Sequence, residues 1–230
     1  RLRCDWSSDV CSSDLGKAYF YKGEFDEAIK TFNYIKEKYK RKPIKYDASL
    51  WLARCFAEKE DYVAAEMELD QLQTDRKFPE KLEDDLATIL ADFYLKQDNY
   101  ILALDELNTA INLIKKRKNK TRFYFILAQL NQHHQNYNKA IKYYQKVIKA
   151  NPEYEMVFNS KINKAQCVQG NSKHSTKVRE ELLKMIKDDK NKEYLDQIYY
   201  AIAKMDLSQK DTLSAIESFK RSAEIGRAHV

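Results

Sequence analysis

The chain has 230 residues, of which 33% are charged, only four are glycine and three are proline, and its mean hydropathy is −0.72. That composition favours helix, contains no apolar run long enough to span a membrane, and keeps enough hydrophobic residues (43%) to exclude disorder. The formal net charge of +6 comes mostly from lysine, in clusters such as Lys40, Arg41, Lys42 and Lys115, Lys116, Arg117, Lys118. These are expected at the ends of second helices of helix pairs, where cations complement the negative helix terminus, and no nucleic-acid-binding module accompanies them.

The two ends read as foreign. Residues 4–15, CDWSSDVCSSDL, can be reverse-translated into a common short-read sequencing adapter, and residues 224–230, EIGRAHV, into the reverse complement of the same region. Residues 1–15 and 224–230 are therefore set aside as adapter-derived, as a cloning scar would be, leaving 16–223 as the native stretch. That stretch of 208 residues carries 38 basic and 31 acidic residues, a net +7. Cys4 and Cys11 fall outside it, so Cys55 and Cys167 are the cysteines to explain, and a signal peptide or lipidation signal would lie upstream.

Within 16–223 one helix-turn-helix pattern recurs. The small residue that opens the second helix is Ala28, Ala65, Ala103 and Ala140, at intervals of 37, 38 and 37, and Ala215 follows after 75, about two periods. Each has a small residue twelve positions earlier (Gly16, Ala53, Ala91, Ala128, Ala203), and the first four have an aromatic three positions earlier (Phe25, Tyr62, Tyr100, Tyr137). The first repeat has Gly16, Tyr19, Gly23, Phe25, Ala28 and Phe32. The second has Leu52, Ala53, Phe56, Tyr62, Ala65 and Leu69. The third has Leu90, Ala91, Tyr94, Tyr100, Ala103 and Leu107, and the fourth Leu127, Ala128, Tyr137, Ala140, Tyr144 and Pro152, with Asn131 where an aromatic is wanted. The fifth is irregular: residues 154–169 read as a first helix around Ala165, then Gly170, Asn171 and Ser172 interrupt before apolar periodicity resumes over 178–186. The sixth, residues 194–223, recovers Ile202, Ala203, Ala215 and Phe219 without a polar capping helix, so the natural array is expected to continue.

These residues resemble the tetratricopeptide pattern, whose small residues let two helices cross closely while aromatics fill the gaps between layers. The resemblance implies an all-α fold, a right-handed α-solenoid of about six helix pairs truncated at both ends, with period above the usual 34 because helices or inter-repeat loops are longer. Over residues 154–200 in particular, a narrower likeness appears. The stretches RFYFILAQL, NPEYEMVFNSKIN and ELLKMIKDDKNKEYLDQIYYAIA are similar to the periplasmic tetratricopeptide lipoproteins of the type IX secretion and gliding-motility apparatus, the SprE/PorW type. That likeness implies an outer-membrane lipoprotein facing the periplasm, anchored through a cysteine upstream of this fragment and acting by contact with other secretion-machinery subunits. The alternative is a cytosolic adaptor or the sensor segment of a larger regulatory protein.

No chemistry is legible beside the repeats. Paired carboxylates such as Asp84/Asp85 and Asp188/Asp189 are ordinary on charged helices, His133 and His134 are adjacent and leave different helix faces, and His174 falls in an expected loop. The glycines form neither a phosphate-binding loop nor a dinucleotide fingerprint. The chain is expected to be no enzyme, to use no cofactor or metal, and to take neither nucleic acid nor a small-molecule substrate. Cys55 and Cys167, three repeats apart at equivalent positions, are expected to be free, packed thiols. The expected functional surface is the concave one lined by first helices, with Lys17, Tyr21, Arg54, Glu58, Asp92, Lys96, Arg122, Phe125, Gln129 and Tyr200, suited to an extended peptide or a helix. Lys17 and Trp51 stand where chaperone-type tetratricopeptide domains place asparagines of their carboxylate clamp, so that clamp is not expected here.

Overall fold

A computed structural model describes residues 8–114, 117–169 and 173–228. The described residues are helical throughout, without a strand, and fall into two compact units, residues 1–115 and 116–230.

Unit 1 holds three helix pairs: α1 (Ser8–Lys22) with α2 (Phe25–Lys38), α3 (Ile44–Glu58) with α4 (Tyr62–Thr74), and α5 (Glu83–Lys96) with α6 (Tyr100–Leu113). Ala28, Ala53, Ala65, Ala91 and Ala103 are buried where the helices of a pair cross. At Gly16 an added Cβ would sit 2.7 Å from the Phe32 ring, so the close crossing in the first pair requires glycine. Phe32, Leu69 and Leu107, one turn beyond the crossing alanines, are buried. Two apolar clusters result, one joining Phe20, Phe32 and Ile35 to Ala48, Leu52 and Cys55, the other joining Leu50 and Leu69 to Leu86, Leu90 and Phe93. Lys36 Nζ donates to Glu68 Oε1 at 2.6 Å and Tyr62 Oη to the Lys96 carbonyl at 3.1 Å between successive pairs, while Tyr46 Oη donates to Asp75 Oδ2 at 2.9 Å within the second. The residues beyond a standard repeat lie in the inter-repeat connections, as in 75–82 between α4 and α5, which includes a 3₁₀ turn at Glu80–Leu82.

Unit 2 holds α7 (Arg117–His133) with α8 (Tyr137–Ala150), α9 (Tyr154–Gln166) with α10 (Lys173–Ile186), and α11 (Leu195–Ser208) with α12 (Thr212–Ala228). Its core joins Phe158, Ile162 and Ala165 to Val178, Leu182, Ile198 and Met205, with a second cluster of Ala128, Ala140, Tyr144 and Cys167. Both helices flanking the fifth crossing are present, so the irregular fifth repeat is a helix pair. α10 starts five residues before the apolar periodicity does, because Ser175 packs inside and anchors a polar first turn. His174 consequently lies in that first turn and not in a loop. Residues 170–172 and the Lys115–Lys116 part of the second basic cluster lie outside the described residues. Arg117 and Lys118 open α7 and do not close α6, which ends at Leu113.

The same turn closes every regular first helix. Five residues before each crossing alanine the backbone enters the left-handed region: Gly23 (φ 83°), Glu60 (61°), Asp98 (56°), Gln135 (58°) and Lys210 (65°). The next residue then donates its N–H back across the turn, Glu24 to the Tyr19 carbonyl (2.9 Å), Asp61 to Phe56 (2.9 Å), Asn99 to Tyr94 (2.9 Å), Asn136 to Asn131 (2.7 Å) and Asp211 to Asp206 (2.9 Å). That is the six-to-one bond of a Schellman ending, and it satisfies a carbonyl the helix would leave orphaned. Asp61, Asn99 and Asp211 go on to cap the second helix by accepting from Ala64, Leu102 and Ser214 N–H. The aromatic position of the motif is polar and buried twice. Asn131 donates to the Leu127 carbonyl at 2.7 Å, and Asp206 accepts from Arg179 at 3.1 Å.

Cys55 and Cys167 are free and buried, and burial pushes each thiol up to about 12.

Candidate protein-binding faces

In each unit the first helices neighbour one another, α1 with α3 and α3 with α5 in unit 1, α7 with α9 and α9 with α11 in unit 2. A row of first-helix side chains therefore faces outward in each. The six positions expected in unit 1 are the same two of each first helix, one and five residues past the crossing residue, and a four-residue spacing puts both on one face.

Those six separate into two groups. Around Trp51 of α3, the Arg54 guanidinium lies 4.2 Å from the indole centroid and 4.8 Å from the Phe20 ring, the Lys17 ammonium lies 5.6 Å from the indole, and the Tyr21 ring meets it edge-on at 5.8 Å. Phe32 stacks behind it at 5.9 Å. Asp47, one turn earlier on α3, pairs with Lys17 at 3.3 Å, which fixes the lysine beside the indole. Tyr21 remains 74% exposed, so a rigid aromatic edge next to two cations stands free in solvent. Such cation–aromatic contacts hold the side chains in place at about 0.5–2 kcal/mol each. The second group is an ion triad: Lys96 pairs with Asp92 at 2.9 Å and with Glu58 at 3.3 Å. Its charges are largely spent on one another. Burial works against the Lys96 ammonium, but the Asp92 and Glu58 carboxylates outweigh it and hold its pKa above the ordinary lysine value.

Trp51 is the residue that sequence reasoning missed. In the sequence it reads only as a replacement for a clamp asparagine. The signal lay in its spacing, three residues before Arg54 and four after Asp47, which places all three on one face of α3.

Unit 2 scatters its four expected residues. Arg122 is exposed beside a hollow of about 580 Å³ lined by Asn151, Pro152, Glu153 and Met156. Gln129 is exposed on α7. Phe125 is half-buried, its ring edge-on to the buried Tyr144 at 6.0 Å, and it serves the core as much as the surface. Tyr200 of α11 is 46% exposed, braced by Phe219 at 5.6 Å. It borders a cleft of about 310 Å³ between α9 and α11 whose lining is amide-rich: Asn159, Asn163, Gln166 and Gln197, with Asp196. Side-chain amides offer a donor and an acceptor each, the complement of peptide groups on an extended chain.

Among the described residues no group of three His, Cys, Asp or Glu is placed to hold a metal ion, and no described helix is long and apolar enough to cross a membrane. His133 and His134 are exposed, with their rings edge to face at 5.3 Å.

Comparison with known proteins bears on the fold. Residues 13–79 and residues 121–154 each match the tetratricopeptide repeat. No curated protein sequence matches the chain. Among solved structures, BtubC (BKLC) from P. vanneervenii is similar at a TM-score of 0.59 and 14% identity, over 90% of both chains. A MamA protein is similar at 0.54 and 19% identity, covering 81% of this chain and 94% of that one, and MamA MSR-1 C2 at 0.55 and 18%, covering 82% and 98%. Helix pairs that cross at small residues, the recurring left-handed turn, the two matched stretches and these neighbours agree: the chain carries tetratricopeptide repeats.

Proposed function

We propose that this chain is a protein-interaction scaffold without chemistry of its own, that its first-helix faces grip an extended or helical protein segment, and that it works in the periplasm as a subunit of the type IX secretion and gliding machinery. The observation that carries the scaffold reading is the Trp51 group. Tyrosine, tryptophan and arginine are the side chains that most often dominate protein interfaces, and here they are held in fixed geometry at the surface with Tyr21 largely uncovered. The amide-lined cleft beside Tyr200 offers a second, polar foothold. The narrower assignment rests on the likeness of residues 122–130, 151–163 and 181–203 to the secretion lipoproteins.

Two experiments test it. Capture from envelope extract, compared between the wild type and a Tyr21→Ala/Arg54→Ala variant, should retain identified secretion subunits on the first and lose them on the second. Equal capture by both would overturn the first-helix assignment. Recovery of the complete reading frame should reveal a signal peptide ending in a lipidated cysteine. A start without any export signal would replace the periplasmic reading with that of a cytosolic adaptor or sensor segment.

A further inference from the structure

Charge is distributed very unevenly in this molecule. α8, α9 and α10 together carry ten basic residues and three acidic ones, a net +7, against +6 for the whole chain. The remainder of the sequence is therefore close to neutral. α8 contributes four lysines and no acid; the excess does not sit where helix ends would need it, since Lys139, Lys142, Lys146 and Lys149 are spaced along the whole helix.

These helices enclose a cleft of about 490 Å³ lined by Gln145, Lys149, Lys161, Lys164, Lys177 and Glu181. Lys164 forms part of its buried wall, only 5% exposed, and its ammonium donates to Glu181 Oε2 at 2.6 Å. Glu181 is the only acid in the lining and is already engaged. Among the described residues, Lys161 and Lys177 have no carboxylate partner. The lining thus carries four ammoniums against one carboxylate, and that carboxylate is committed to Lys164. Mutual repulsion raises the energy of this arrangement, and an anion entering the cleft relieves it.

We propose that this cleft, on a surface that includes second helices and is separate from the first-helix faces, binds carboxylate side chains of an acidic segment in a protein partner. Shape favours that class. A flat bilayer surface meets only the rim of a concavity, whereas a glutamate on a flexible chain can enter it between Lys161 and Lys177. Lysine rather than arginine lines the site, which suits point-charge contacts with several carboxylates over bidentate recognition of one planar group.

The test uses the full chain and a rhodamine-labelled hexaglutamate peptide followed by fluorescence anisotropy at low salt. Hexaglutamate should bind and hexaglutamine should not. Lys161→Glu/Lys177→Glu should weaken binding about tenfold or more, while Lys40→Glu/Lys42→Glu, which makes the same change in net charge within unit 1, should leave it unchanged. Circular dichroism of both variants establishes that they fold. Equal weakening by the two variants would reduce the effect to bulk charge and overturn the proposal. So would tighter binding of inorganic phosphate, duplex DNA or anionic vesicles than of hexaglutamate, by assigning the cleft to another class of anion.

Discussion

Four of the five left-handed turns are built with residues that pay a conformational penalty there, and only the first uses glycine. For a residue with a Cβ the left-handed region costs roughly 1–2 kcal/mol, while glycine's extra freedom in the unfolded chain takes back about 0.4–1 kcal/mol. Glu60→Gly, Gln135→Gly and Lys210→Gly should each therefore stabilise by about 0.5–1 kcal/mol, which is about 1–4 °C in melting midpoint for a chain of this size. All three side chains are exposed, so little contact is lost. Asp98→Gly should gain least, since aspartate tolerates this region better and Asp98 accepts from Tyr100 Oη at 2.8 Å. Gly23→Ala is the opposite experiment: its φ of 83° makes a side chain costly although nothing lies within 4 Å of an added Cβ, and about 1 kcal/mol should be lost. Urea unfolding followed by circular dichroism at the helix minimum reads all five. A neutral Gly23→Ala together with destabilising glycine substitutions at 60, 135 and 210 would refute the assignment of these turns as strained Schellman endings.

Packing, thiol and carboxyl chemistry give three further expectations. Ala65→Leu and Ala140→Leu, at buried helix crossings, should each cost about 1–3 kcal/mol by forcing the pair apart, and Phe125→Ala should lower the melting midpoint where Tyr200→Ala does not, because Phe125 packs on Tyr144. With Cys4 and Cys11 replaced by serine, the native protein should resist a thiol reagent at about pH 8 and expose two reactive thiols on unfolding. Each buried thiol ionises only near 12 when folded but near about 8.5 unfolded. Stability should therefore fall as pH rises above about 9, by up to about 1.4 kcal/mol per pH unit per thiol, and a Cys55→Ala/Cys167→Ala variant should lose that slope. Burial, outweighing the Arg179 guanidinium, raises the Asp206 carboxyl above its ordinary range, so the fold favours the protonated acid. That contribution is present below the unfolded value of about 4 and is lost as pH rises through the folded one, so acidification from about pH 6 to about pH 4 should shift relative stability toward wild type over Asp206→Asn.

What could be read in advance was whatever depends on side-chain size at a fixed interval. A crossing of two helices leaves room for glycine or alanine and for little else, so Gly16, Ala28, Ala53, Ala65 and their successors announce the repeat without any tertiary knowledge. The left-handed turns were legible only at Gly23, because Glu60, Gln135 and Lys210 carry no compositional mark of the conformation that the following cap imposes on them. The start of α10 was missed for a related reason: Lys173, Ser175, Thr176 and Lys177 have no apolar periodicity, and what orders them is the packing of Ser175. At the binding faces, sequence placed Tyr21 and Arg54 correctly on first helices but could not show that both converge on Trp51, since an aromatic at helical spacing reads equally well as core. The basic cleft was invisible for the same reason. Lys161 and Lys164 meet Lys177 and Glu181 only once α9 and α10 pack together.

Site-specific photocrosslinking in cells tests most directly whether the first-helix faces are where this protein meets its partners. A photoreactive phenylalanine analogue would replace Tyr21 or Tyr200 on first helices, and Val63 or Ile101, which are 72% and 74% exposed on second helices. The expected result is a crosslink from positions 21 and 200 to identified secretion-machinery subunits, with none from 63 and 101. Crosslinks to those subunits from 63 and 101 alone would contradict the account and move the binding face to the second helices.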